Sequence, residues 1–137
     1  MERARLSLGH PAHRRLSAAA AAVLVMIAGL SVHALAPDGF VSDAAGDALY
    51  AALIFALGVC VAPRAPSWGV AAVALAWCTA VELFQLTGLP EAWGAAFRPL
   101  TLVFGTVFAA EDLVMYALGI AAASGIDVLV RRRPSPA

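Results

Sequence analysis

The chain has 137 residues, of which 62% are apolar and 13% are charged, and its formal net charge is zero. A soluble domain would contain about 25% charged residues, so this composition argues against a soluble enzyme or a nucleic-acid-binding protein. The apolar content excludes intrinsic disorder, and the two cysteines are too few for a disulfide-stapled mini-protein. The composition therefore indicates an integral membrane protein.

Four apolar windows are long enough to cross a membrane, because a spanning helix needs about 20 mostly apolar residues. They run from Leu16 to Ala36, from Gly46 to Ala62, from Trp68 to Leu86 and from Asp112 to Val130. The alternating strands of membrane β-barrels are shorter, at about ten residues each. The sequence thus predicts an all-α integral membrane protein in which residues 16–130 form one membrane domain, a bundle of four transmembrane helices.

The placement of arginine predicts the orientation, because positive charge favours the cytoplasmic side. Of the nine arginines, only Arg98 lies on the opposite side from the others. We therefore predict a multi-pass protein of the bacterial inner membrane, with a cytoplasmic N-terminal tail at residues 1–15 and a cytoplasmic C-terminal tail at residues 131–137. The first helix is expected to be retained rather than cleaved as a signal peptide, since Pro37 follows the small-residue triplet Ala34–Ala36 and the apolar stretch is longer than that of a usual signal peptide.

The connection from Thr87 to Ala110 is the least regular part of the chain. Its last part, Thr101 to Ala110, is apolar, but ten residues are too few to span a bilayer. We predict a short interfacial or re-entrant segment between the third and fourth helices, and the sequence leaves the choice open. Leu89–Trp93 is expected to form an interfacial turn, with Trp93 at the level of the lipid headgroups.

Charged side chains inside spanning segments cost about 2.5–3.5 kcal/mol each on insertion scales, and they usually face the bundle interior or water. Glu82 lies within the third helix, with Gln85 one turn further on the same face. Two interpretations stay open for Glu82: a polar clasp between helices, or a ligand or proton site. Asp47 and Asp112 stand near helix starts, where the helix dipole alone favours an acid.

Asp47, Glu82, Gln85 and Asp112 all map to the outer half of the predicted bundle, where Arg98 is the only cation. An unpaired buried charge is costly, and the planar guanidinium of arginine suits carboxylates. We therefore predict an outward-facing polar pocket in which Arg98 bridges acids from three helices. No set of His, Cys and carboxylate residues has metal-ligand spacing, so the sequence predicts no metal and no cofactor.

The order and spacing of several short motifs, within about residues 20 to 127, is similar to that of a known family. The motifs are Gly46–Ala51, Glu82–Leu86, Arg98, Gly105–Phe108, Asp112–Leu113, Tyr116 and Gly119. They resemble domain of unknown function 2809, an uncharacterised family of small bacterial membrane proteins. The resemblance implies a four-helix inner-membrane protein without an assigned reaction. It also implies that seven residues share one ligand-binding site: Asp47, Tyr50, Glu82, Gln85, Arg98, Asp112 and Tyr116. The same pattern is distantly similar to VanZ-like proteins, which are associated with teicoplanin resistance.

Several functions stay open at this point. We favour a small binding or accessory membrane protein whose pocket holds an anionic lipid headgroup, a cell-envelope precursor or a partner helix. A proton- or ion-coupled carrier would instead use Glu82 and Asp112 as relay groups. A membrane hydrolase with these two carboxylates as acid and base is disfavoured, because no nucleophile or metal set accompanies them. In a purely structural protein the charges would only hold the helices together. Membrane lipids are expected partners, nucleic acid is not, and the oligomeric state stays open.

Overall fold

A computed structural model gives the fold of residues 2–132, with the side chains of residues 11–132. This part of the chain is helical and contains no strand. Its helices are α1 (Glu2–Leu35), α2 (Phe40–Val61), α3 (Ser67–Gln85), α4 (Leu89–Ala96), α5 (Leu100–Phe104) and α6 (Ala110–Arg132).

Four of these helices, α1, α2, α3 and α6, are long and apolar enough to cross a membrane. The prediction of an all-α membrane bundle with four spans is therefore confirmed. Helix α1 begins at Glu2 and continues without a break through residues 2–15 into the first span. Of the predicted C-terminal tail, residues 131–132 complete α6, and residues 133–137 lie outside the described part of the chain.

Helix α2 stands at the centre of the bundle and packs against α1, α3 and α6. The buried core consists of residues that recur about once per helical turn on α2, α3 and α6: Ala51, Phe55, Val59, Val70, Ala74, Cys78, Tyr116 and Ile120. Gly119 brings α6 against the backbone of Ala48, where any Cβ at position 119 would collide. Small residues at such crossings let membrane helices approach closely without a hydrophobic driving force between them.

One end of the bundle, here called the termini end, holds the start of the first span, the α2–α3 connection and the end of α6. Arg14 is buried there and donates from Nε and Nη2 to the two carboxylate oxygens of Asp127, at 3.0 and 2.7 Å. Its Nη1 donates to the carbonyls of Pro63 and Ala65, at 2.8 and 2.6 Å. The hydroxyl of Ser67 donates to the same carboxylate. This Arg14–Asp127 clamp ties α1, the α2–α3 connection and α6 together.

The opposite end, here called the distal end, carries the α1–α2 connection and residues 86–109. The predicted turn at Leu89–Trp93 is in fact part of the short helix α4, because Pro90 suits a first helical turn. Rings of Phe84, Trp93 and Phe104 cluster with centroids 5.3 to 6.1 Å apart. The segment after α4 is thereby folded back against the end of α3.

Candidate functional site

A cavity of about 520 Å³ lies at the distal end between α1, α2, α6 and the chain that follows α5. We call it the distal pocket. Its polar lining residues are His33, Asp38, Ser42, Asp43, Asp47, Gln85, Thr106, Glu111, Asp112 and Tyr116. Four of the seven residues predicted to form a site thus line one cavity: Asp47, Gln85, Asp112 and Tyr116.

Helix geometry explains why the acids of α2 and α6 meet here. Asp43 and Asp47 are four residues apart and therefore share one face of α2. Asp112 and Tyr116 share a face of α6 in the same way. Both helices begin at the distal end, and an acid in the first turn is stabilised by the helix dipole. The carboxyl groups of Asp47 and Asp112 are neighbours across the pocket.

Glu82 lies behind the pocket wall and is fully buried. Its carboxylate accepts a hydrogen bond from the hydroxyl of Tyr116 at 2.7 Å and one from the backbone N–H of Ala109 at 3.3 Å. A buried charge needs such partners, because an unsatisfied one is strongly unfavourable. Glu82 therefore joins α3 to α6 and to the segment after α5. These are the contacts that a polar clasp between helices would make.

Gln85 has one satisfied and one unsatisfied end. Its Nε2 donates to the carbonyl of Phe104 at 2.8 Å, and this fixes which way the amide points. Its Oε1 is buried and has no hydrogen-bond partner among residues 11–132. Gly105 makes this contact possible, because its φ is +63° and a Cβ there would lie 2.5 Å from Nε2 of Gln85. Gln85 therefore lines the pocket as a residue whose buried Oε1 has no donor among residues 11–132.

Tyr50 belongs to the same region but does not line the pocket. Its hydroxyl donates to the carbonyl of Val103 at 2.8 Å and accepts from Nε1 of Trp77 at 3.1 Å. Its ring lies 6.1 Å from that of Tyr116, measured between centroids. Tyr50 therefore anchors the segment around α5 against α2 and α3, which shapes the wall of the pocket.

The structure does not bring Arg98 to the acids that it was predicted to bridge. Its side chain is exposed, lies outside the distal pocket, and forms no ion pair with any described acid. The reason is its place in the short link between α4 and α5, where Phe97 and Pro99 turn the chain at the surface. Within residues 11–132 the ion pair of the bundle is instead Arg14–Asp127, at the termini end.

Without Arg98 the distal pocket is strongly acidic. Among residues 11–132, five carboxylates line it, those of Asp38, Asp43, Asp47, Glu111 and Asp112, and the only basic side chain in the lining is that of His33. No three His, Cys, Asp or Glu residues in the described part of the chain are arranged to hold a metal ion. The pocket can therefore attract positive charge and accept hydrogen bonds, and it offers no guanidinium to an anion.

Sequence reasoning missed several of these residues. Asp38 and Asp43 lie between the predicted windows Leu16–Ala36 and Gly46–Ala62, although the four-residue spacing from Asp43 to Asp47 is a helical signal. Asp127 was overlooked although it is a charge within the fourth span. Its partner Arg14 is 113 residues away, and no local pattern indicates such a pair.

Comparison with known proteins gives one family. A family model described as a protein of unknown function (DUF2809) matches residues 36–120, which is more than half of the chain. The match covers α2 to the middle of α6 and so includes most of the distal pocket. No curated protein and no solved structure matches the chain.

Proposed function

We propose that this chain, which belongs to the DUF2809 family, is a membrane-embedded protein that binds a ligand. Its distal pocket would bind a cationic group that can donate hydrogen bonds. A protonated amine is the simplest group of this kind. The single observation that carries the proposal is an acidic pocket lined by Gln85, whose buried Oε1 has no hydrogen-bond partner among residues 11–132.

Two physical arguments support an amine. Several carboxylates close together repel one another, and an opposite charge between them relieves that repulsion. A buried acceptor without a partner costs about 1–3 kcal/mol, and a ligand N–H that reached it would recover part of that cost. Asp47 and Asp112 supply charge and Gln85 supplies the hydrogen-bond acceptor.

The proposed ligand has the opposite charge to the one expected from the sequence. An anionic lipid headgroup was expected because Arg98 was placed among the acids. Since Arg98 lies elsewhere, an anion in this pocket would face five carboxylates without a compensating guanidinium. A cell-envelope component stays a candidate ligand if it presents an amine.

The proposal includes the location of the pocket. The arginine asymmetry favours cytoplasmic termini in a bacterial inner membrane, and this orientation would open the distal pocket to the outer side. The protein would then act as a binding or accessory component that meets its ligand outside the cytoplasm.

Isothermal titration of the protein in phosphatidylcholine nanodiscs tests the charge of the ligand. Putrescine, butanediol and succinate share a four-carbon chain and differ only in their end groups. We expect putrescine to bind, butanediol to bind weakly and succinate not to bind. The double variant Asp47→Asn, Asp112→Asn should lose at least tenfold in affinity, about 1.4 kcal/mol. Glu91→Gln removes an exposed acid of α4 outside the pocket and should change nothing.

Other results would favour the other functions. Binding of succinate rather than putrescine would restore an anionic ligand and refute the proposal. If no probe binds and the double variant only melts at a lower temperature, the acids are structural. A pH-dependent flux in proteoliposomes that disappears in Glu82→Gln, without putrescine binding, would favour the proton-coupled carrier instead.

A further inference from the structure

A second cavity of about 390 Å³ runs along the side of the bundle between α1 and α6. Its lining is almost entirely apolar and mostly small, and it includes Ala18 and Ala21 of α1, Ala52 and Ala56 of α2, and Gly119 and Ala122 of α6. We call it the α1–α6 groove. Helix α2 forms its floor, because α1 and α6 both pack on α2 and leave a gap between themselves.

The groove begins where the distal pocket ends. On α2, the pocket residue Asp47 is followed directly by the groove residue Ala48. On α6, Gly119 of the groove lies less than one turn beyond Tyr116 of the pocket. On α1, Val25 of the groove lies about one turn before a pocket residue, Gly29. The acidic distal pocket and the apolar α1–α6 groove therefore follow one another along the same three helices.

Asp127 of the Arg14–Asp127 clamp lines the groove near its other end. Between Gly119 and Val130 the groove extends about 16 Å along α6, at 1.5 Å per residue. This is close to half of the roughly 30 Å thickness of a hydrocarbon core, which is the length available to one lipid chain. Its small side chains leave the width of the channel unfilled.

We propose that one amphiphile occupies both cavities, with its amine head in the distal pocket and a single hydrocarbon chain in the α1–α6 groove. This inference rests on the proposed function and narrows the ligand class from any amine to a membrane-borne lipid amine. The continuity of pocket and groove distinguishes this ligand from lipid that merely covers the surface. The pocket would recognise the amine, and the groove would hold the hydrocarbon chain in one position.

Photolabelling tests the inference in the intact protein. The probes are hexadecylamine and hexadecanol, each with the same diazirine in the middle of the chain, in phosphatidylcholine nanodiscs. We expect the amine to label the groove faces of α1 and α6 at least fivefold more than the alcohol does. Both probes should label the exposed face of α3, which includes Trp68 and Val73, to the same extent. Unlabelled hexadecylamine should compete only at the groove.

Two pairs of variants separate the head from the chain. Ala122→Trp should fill the groove and remove the amine-specific labelling, whereas Ala121→Trp, one residue away, exposed and outside the groove, should not. Ala21→Trp and Ala20→Trp form the same pair on α1 and replace the first pair if Ala122→Trp does not fold. The Asp47→Asn, Asp112→Asn variant should lose the groove labelling and keep that of α3.

The results distinguish this inference from the proposed function. If putrescine binds but the amine labels α3 as strongly as the groove, the ligand is a soluble amine and the inference is overturned. If putrescine does not bind, and hexadecylamine and hexadecanol label the groove equally, both proposals are refuted. Crosslinks from a diazirine amino acid at position 122 to a second copy of the chain would assign the groove to a helix of that copy, which also overturns the inference.

Discussion

Loss of the Arg14 side chain should be the most damaging single change at the termini end. Arg14 is 6% exposed and makes hydrogen bonds to Asp127, Pro63 and Ala65. Removing one partner of a buried ion pair costs about 3–5 kcal/mol, because the other charge stays uncompensated. Asp127 keeps the hydroxyl of Ser67 and is 14% exposed, so we expect Arg14→Gln to lose about 3 kcal/mol, at the lower end of that range.

The assay is the free energy of unfolding from titration with sodium dodecyl sulfate in mixed micelles. Arg15→Gln is the matched control, because it removes the same charge from an exposed neighbouring position and should change stability by less than about 0.5 kcal/mol. Adding Asp127→Asn to Arg14→Gln removes the orphaned charge, so the double variant should be more stable than the two separate losses predict. Equal losses in Arg14→Gln and Arg15→Gln would refute the reasoning.

The same titration checks two further predictions at the distal end. Gly105→Ala should lose about 1–3 kcal/mol, since a side chain is strained at a positive φ and would press on Gln85. Gly125→Ala is the control, because a Cβ at this position of α6 meets open space, and the variant should gain up to about 1 kcal/mol of stability. Equal effects of the Gly105→Ala and Gly125→Ala substitutions would contradict the backbone strain expected at position 105. Tyr116→Phe should lose about 1–3 kcal/mol, because the buried Glu82 loses its closest donor, and unchanged stability would show that this hydrogen bond contributes little.

The spans were predictable because apolar length is a local property of the sequence. The predicted start of the second helix, Gly46, lies six residues after its observed start at Phe40. The acidic stretch before Gly46 was interpreted as a connection. In the structure Asp43 lies in the first turn of α2 and lines the distal pocket, where the helix dipole favours a carboxylate.

The acids of the site were partly predictable, and their partner was not. Asp47 and Asp112 could be placed at one end of the bundle from their positions near helix starts. The position of Arg98 could not be obtained in this way, because a residue in an irregular link has no periodicity that fixes its direction. Charge alone suggested Arg98 as the partner of the acids. Within residues 11–132 the ion pair is Arg14–Asp127, and its members are far apart in sequence.

The Arg14–Asp127 clamp has a consequence for the order of biogenesis. Membrane helices are inserted one after another and then associate, and chains emerge from the ribosome with their N-terminal part first. Helices α1 and α2 can pair early, because their contact is the most extensive in the bundle, but Arg14 cannot meet Asp127 until α6 has entered the bilayer. Nascent chains that stop before α6 would keep a guanidinium with only carbonyl partners. The clamp can therefore close only after α6 has been inserted, and its closure joins the first helix of the bundle to the last.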